Sequence, residues 1–200
     1  MYEYRKLSPQ KRKEIVEYRK IHGYPLHAPP HPYKGAGYYL ITAANYEHSK
    51  IMKNPDRRTE FELALLSSIK VEEIKLLCWV ILPNHYHLVL NVADLNILSK
   101  KLKYLHGYTS YKWNKEDGLQ NKRKVWYKYS DRFIRTEDYY YAAMNYVHYN
   151  PVKHGYCKKA RDWIWSSLSL YINDFGKDWL INKWENFTPS DGFGDGWDNV

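Results

Sequence analysis

The chain has 200 residues, 31 of them Lys or Arg and 22 Asp or Glu, giving a formal charge of +9 and a pI near 9.3. That length holds one ordinary domain with appended segments, and the positive excess favours a polyanionic partner such as nucleic acid over an acidic small molecule. No window approaches about 18 unbroken apolar residues and MYEYRKLSPQKRKE lacks the apolar core of an export signal, so the cytoplasm is expected and a membrane partner is not.

Ser8-Pro9 reads as an N-cap followed by proline at the first helical position, opening a basic helix to about Ile21 that stops at Gly23 and Pro25. HGYPLHAPPHPYKGAG, residues 22–37, is rich in Pro and Gly and reads as an extended linker. YYLITAAN, 38–45, predicts a strand, and TEFELALLSSIK, 59–70, an amphipathic helix. IKLLCWVIL, 74–82, is too apolar for a strand with one wet face; after Pro83-Asn84, HYHLVLNV, 85–92, resumes as its neighbour across a tight turn. Asp94 then caps a long helix to about Trp113, with Leu95, Leu98, Leu102 and Leu105 at helical spacing. KVWYKY, 124–129, and RFIR, 132–135, predict short edge strands. Thr136 caps a helix with Glu137 and Asp138 in its first turn, and Pro151 predicts its end near Asn150.

This order implies one α+β domain, a mostly antiparallel sheet with helices packed on one face. The expected division is a basic helix and linker over 1–36, the α+β domain over 37–173, and a tail over 174–200. That tail carries six acids, two lysines and three tryptophans. Cys78 and Cys157 are too few and too far apart for a zinc ribbon and are expected to be reduced thiols.

In LPNHYHLVL, residues 82–90, strand geometry sends His85 and His87 to one face and Tyr86 to the other. Two imidazoles side by side are half of a metal site, although an isolated pair also serves to cap backbone groups or to face solvent. On the later helix Tyr146 and Asn150 are one turn apart and share a face; periodicity alone favours a core tyrosine and a helix-terminal asparagine before proline. Sequence spacing leaves both pairs open.

Together, LPNHYHLVL and NYVHYNPVKHGY followed by DWIWSS resemble the histidine motif and the tyrosine-bearing helix of the HUH-type single-tyrosine transposase family, in its REP-associated subgroup, over about residues 38–171. The resemblance implies a ferredoxin-like α/β fold with an antiparallel sheet. It implies His85 and His87 as metal ligands, Asn150 as a third protein ligand, and Tyr146 as the nucleophile that attacks single-stranded DNA to leave a 5′-phosphotyrosine and a free 3′-hydroxyl. The expected cofactor is Mg²⁺ or Mn²⁺, nitrogen ligands leaning to Mn²⁺ and cellular abundance to Mg²⁺; no small-molecule cofactor is expected.

Residues 100–129 hold nine Lys or Arg and two acids interleaved with aromatics, as in a groove that tracks phosphates and stacks bases. The candidate DNA contacts are Lys100, Lys101, Lys103, Tyr108, Lys112, Trp113, Lys122, Arg123, Lys124 and Trp126, with Arg132 nearby; a solvated helix face with ordinary core aromatics would read similarly. The basic N-terminal 34 residues offer a second contact, and the acidic tail a mimic of DNA that occupies the groove. The expected partner is single-stranded or hairpin DNA, engaged by a monomer. The rival readings are a non-cleaving binder of structured DNA or RNA and a rolling-circle-type nickase, the latter disfavoured by the single-tyrosine helix and the absence of a helicase-like P-loop.

Overall fold

The computed structural model describes residues 7–21, 35–120, 123–190 and 193. Helix α1 spans Pro9–Ile21, with the Ser8 hydroxyl accepting from Lys11 N–H at 3.3 Å. Then come β1 (Gly37–Ala44), α2 (Pro55–Ser68), β2 (Ile74–Ile81), β3 (His85–Val92), α3 (Leu95–Glu116), β4 (Ser130–Ile134), α4 (Glu137–Lys153), α5 (Leu168–Phe175) and α6 (Lys177–Asn186). The linker expected over 22–37 lies mostly outside the described residues, as does the glycine-rich end of the tail. Among the described residues no helix is long and apolar enough to cross a membrane.

The four strands form one antiparallel sheet in the order β2-β3-β1-β4. Two strand–helix–strand crossovers interleave to give it: α2 carries the chain from β1 past β3 to β2, and α3 carries it from β3 past β1 to β4. This is the α+β, ferredoxin-like arrangement expected from sequence. The helix cover is fuller than expected. Alternation sends Tyr39, Ile41, Tyr86, Leu88 and Leu90 towards α2 and α3, where they pack with Phe61, Leu65, Leu98, Leu102 and Trp113. It sends Leu40, Cys78, Val80 and Val89 the other way, against Ala143, Met144, Tyr146 and Val147 of α4. Both faces are therefore covered, which is why β2 and β3 read as nearly unbroken apolar runs.

Helix starts follow the capping chemistry. Asn54 accepts from Asp56 N–H at 2.9 Å, Asp94 from Asn96 N–H at 2.8 Å, and Thr136 from Tyr139 N–H at 3.2 Å. Two expectations need correction. Helix α4 does not end before Pro151 but runs through it to Lys153. The proline sits in the last turn, where one lost N–H bond is tolerable, and the helix closes with His154 N–H on Asn150 O at 3.0 Å and Gly155 in the left-handed conformation (φ 69°). Residues 124–129 are not a strand. They make a single bridge, Trp126 to Asn45, and β4 begins at Ser130.

Candidate functional site

β3 pairs with β1 so that His85 lies opposite Ala44 and His87 opposite Thr42. Both histidines are buried on the α4 face at the end of the sheet where the β2–β3 turn lies. The ring of each is fixed by a neighbour. Thr42 Oγ1 lies 2.9 Å from His87 Nδ1. Asn84, the last residue of that turn, places Oδ1 2.9 Å from His85 Nδ1, and its backbone carbonyl accepts from Asn45 N–H at 2.7 Å. The turn is thereby tied to the end of β1.

Helix α4 crosses above this face and aligns Tyr146 and Asn150 on one stripe. Asn150 is fully buried, with Oδ1 3.2 Å from His85 Nε2. The Tyr146 ring lies 5.2 Å from that of His87, and Tyr146 is 3% exposed. Three further side chains border the pair. Lys153 Nζ stands 5.1 Å from the Tyr146 ring centroid. The His154 ring lies 5.0 Å from that of His85. Phe193, from the tail, packs 5.5 Å from the Tyr146 ring and 5.6 Å from that of Tyr139. The family resemblance singled out His85, His87, Tyr146 and Asn150, and the fold brings these four side chains together. It did not single out Thr42, Asn84, Lys153 or His154. Asn84, Lys153 and His154 lie within the quoted motifs, whereas Thr42 is chosen only by strand register.

The donor set fits a divalent ion. Assigning the His85 proton to Nδ1, where Asn84 Oδ1 accepts it, puts the ring lone pair on Nε2, facing the Asn150 carbonyl oxygen. Two acceptors then confront each other in a buried site, a repulsion that a cation between them relieves. Two donors about 2.1 Å from one ion and at right angles are about 3 Å apart, close to the 3.2 Å seen here. The Asn150 amide nitrogen, also buried, has no hydrogen-bond partner among the described residues, so turning the amide over would only exchange which atom is unmet. Among the described residues no three His, Cys, Asp or Glu side chains gather into a metal cluster, so this set is two imidazoles and an amide.

The candidate DNA contacts separate by burial. On α3, Lys100, Lys103 and Tyr108 are exposed and Lys101 is half-buried, continuing a surface stripe with Tyr104 and Tyr111, 76% and 67% exposed. Trp113, 0% exposed, is core and cannot stack on a base: it is packed against Phe61 and Trp126. Trp126 is also internal, with His106 stacked on it at 4.4 Å and Phe61 at 5.2 Å, and its indole N–H donates to Thr109 Oγ1 at 3.0 Å. Lys112 is engaged by Glu60 and Glu116, and Arg123 by Asp117. Lys124 lies 4.8 Å from the Tyr46 ring centroid and 5.5 Å from that of Tyr127. Arg132, on β4 opposite Leu40, is half-buried on the α4 side. Lys122 lies outside the described residues. Lys103, Lys124 and Lys128 border a cleft of about 670 Å³ between α3 and residues 123–129. That segment is bonded to the end of β1 through Tyr46 N–H on Val125 O at 2.7 Å and Tyr127 N–H on Ala44 O at 2.9 Å. The cleft thus adjoins the sheet end that carries His85.

No family model matches the chain. It is similar to a putative REP-associated tyrosine transposase of Haemophilus influenzae, 26% identical over 155 residues that cover 70% of this chain and 88% of that protein. It is also similar to a REP-associated tyrosine transposase of Escherichia coli, 28% identical over 161 residues covering 72% of this chain and 87% of that one. Among solved structures it resembles a REP-associated tyrosine transposase bound to a REP hairpin, with a TM-score of 0.56, 21% identity, and coverage of 71% of this chain and 82% of that chain. The likeness to that structure is one of fold.

Proposed function

From its similarity in sequence to REP-associated tyrosine transposases and in fold to one of them, we propose that the chain is such a transposase and that it cleaves and rejoins one strand of hairpin or palindromic DNA through a covalent link to Tyr146. The observation that carries this reading is the meeting of Tyr146, His85, His87 and Asn150 at one end of the sheet. His85, His87 and Asn150 would hold a divalent ion, Mn²⁺ or Mg²⁺, coordination running through Nε2 of His87 because Thr42 engages its Nδ1. When bound, the ion would polarise a scissile phosphate oxygen and offset transition-state charge.

A phenol with a pKa near 10 is a weak nucleophile, so the chain's contribution is placement. The Tyr146 oxygen forms a bond to phosphorus and loses its proton; the bond from phosphorus to the 3′-oxygen breaks, and that oxygen leaves with the electron pair and takes up a proton. The phosphodiester energy is kept in the 5′-phosphotyrosine, so a 3′-hydroxyl can reverse the step and join strands without ATP. The acting unit proposed is a monomer, with all four residues supplied in cis.

One observation favours a binder without cleavage: Tyr146 is nearly covered, with Phe193 beside it. A single experiment separates the readings. The protein is incubated with Mn²⁺ and a library of end-labelled hairpin oligonucleotides bearing single-stranded flanks, beside Tyr146→Phe, and resolved on a denaturing gel. A protein-linked band with the native chain and none with the variant is expected. Tight binding with no adduct across the library would leave only the non-cleaving reading.

A further inference from the structure

Lys153 is the one Lys or Arg in the 17 residues of α4. It lies seven residues after Tyr146, two turns along the same face. Side chains on a helix lean towards its N-terminus, so the lysine stem runs back along the stripe and its ammonium reaches 5.1 Å from the Tyr146 ring centroid. Lys153 itself is exposed whereas Tyr146 is buried. The cation therefore stands on the solvent side of the tyrosine, the side from which a DNA strand must arrive.

We propose that Lys153 is a further catalytic residue, whose ammonium binds a non-bridging oxygen of the scissile phosphate as Tyr146 attacks. This rests on the reading of Tyr146 as nucleophile. A phosphodiester carries one negative charge, and attack by a deprotonated phenol brings a second into the transition state. The side chains of His85, His87, Asn150 and Tyr146 include no carboxylate and no permanent cation. A lysine at this distance supplies positive charge that no other residue of α4 offers. It is worth more as charge develops than in the ground state, the condition for raising the rate rather than the affinity. In the 5′-phosphotyrosine the same ammonium would face the phosphate attached to the Tyr146 ring. The simpler role for Lys153, a basic residue in the last turn of a helix favoured by the helix dipole, requires only charge at that turn and predicts no effect on chemistry.

The test compares native protein, Lys153→Gln, Lys153→Arg and Tyr146→Phe on the hairpin library with Mn²⁺, measuring single-turnover adduct formation and DNA affinity separately. The expected result is a loss of about 10²-fold in single-turnover rate for Lys153→Gln at nearly unchanged affinity. Lys153→Arg should recover most of that rate, and Tyr146→Phe should form no adduct. Equal rates for the native chain and Lys153→Gln would overturn the proposal and leave the tyrosine reading standing. A loss confined to affinity would also overturn it, by making Lys153 an ordinary phosphate contact. No adduct from the native chain would remove both the tyrosine reading and the role of Lys153.

Discussion

Thr42 holds His87 through one contact of 2.9 Å to Nδ1, and such contacts orient a ligating imidazole as firmly as the backbone does. Thr42→Val preserves the shape and removes the hydroxyl. It should leave the melting temperature within a few degrees of native and weaken Mn²⁺ binding about 10–100-fold, read by calorimetric titration; unchanged affinity would show that the Thr42 contact does not orient His87 for the ion. Two other histidines serve stability. Burial pushes His106 and His148 down to about 3, the first ring close to Tyr86 Oη and the second to Ser167 Oγ, each at 2.9 Å. Between about pH 3 and 6.5 the unfolded chain binds protons at these positions and the folded chain does not. Their contribution is therefore full above about pH 6.5 and is lost as pH falls towards 3, on the order of 3 kcal/mol by pH 4 for the buried His148 and less for His106, which borders the cleft beside α3. Melting followed from pH 7.5 to 4.5 should fall steeply below pH 6.5. His148→Gln should flatten that slope; an unchanged slope would assign the acid sensitivity elsewhere.

At the scale of elements, α4 serves both core and site, its Ala143, Met144 and Val147 packed on the sheet while Tyr146 and Asn150 meet the histidines. The segment that follows is attached to it: Asn145 Nδ2 donates to Lys183 O at 2.9 Å and to Phe187 O at 3.0 Å, across α6 and its exit. Further along the tail, Phe193 packs on the Tyr146 ring. Phe193→Ala should raise nitration of Tyr146 by tetranitromethane several-fold, measured by peptide mass spectrometry. No change would show that Phe193 does not shield the tyrosine.

Across the whole molecule, the tyrosine and the exposed basic stripe of α3 occupy opposite faces of the sheet. A strand contacting both must pass the sheet end where residues 123–127 join β1. The double variant Lys100→Gln/Lys103→Gln should lower the log–log salt dependence of hairpin binding by about 1–2 without altering single-turnover cleavage at saturating DNA. An unchanged salt slope would move the path off α3.

The order of elements and the two motifs were legible in the chain because strand and helix periodicities, caps and turn residues are local properties. That His85 and His87 share one strand face, and Tyr146 and Asn150 one helix face, was legible for the same reason, as each pair lies within one element; the roles proposed for them came from the resemblance of the two motifs to a family. Local spacing could not say that Trp113 is core, since a tryptophan on a basic helix reads alike whether it faces Phe61 or solvent. Nor could it choose Thr42 as the partner of His87, which depends on the register between β1 and β3, or extend α4 through Pro151. What the sequence determined by itself is therefore the kind of elements and the chemistry each carries. Which faces they bury, and which distant side chains meet at the end of the sheet, is decided only by tertiary packing, because those contacts join residues tens of positions apart whose energies no local pattern records.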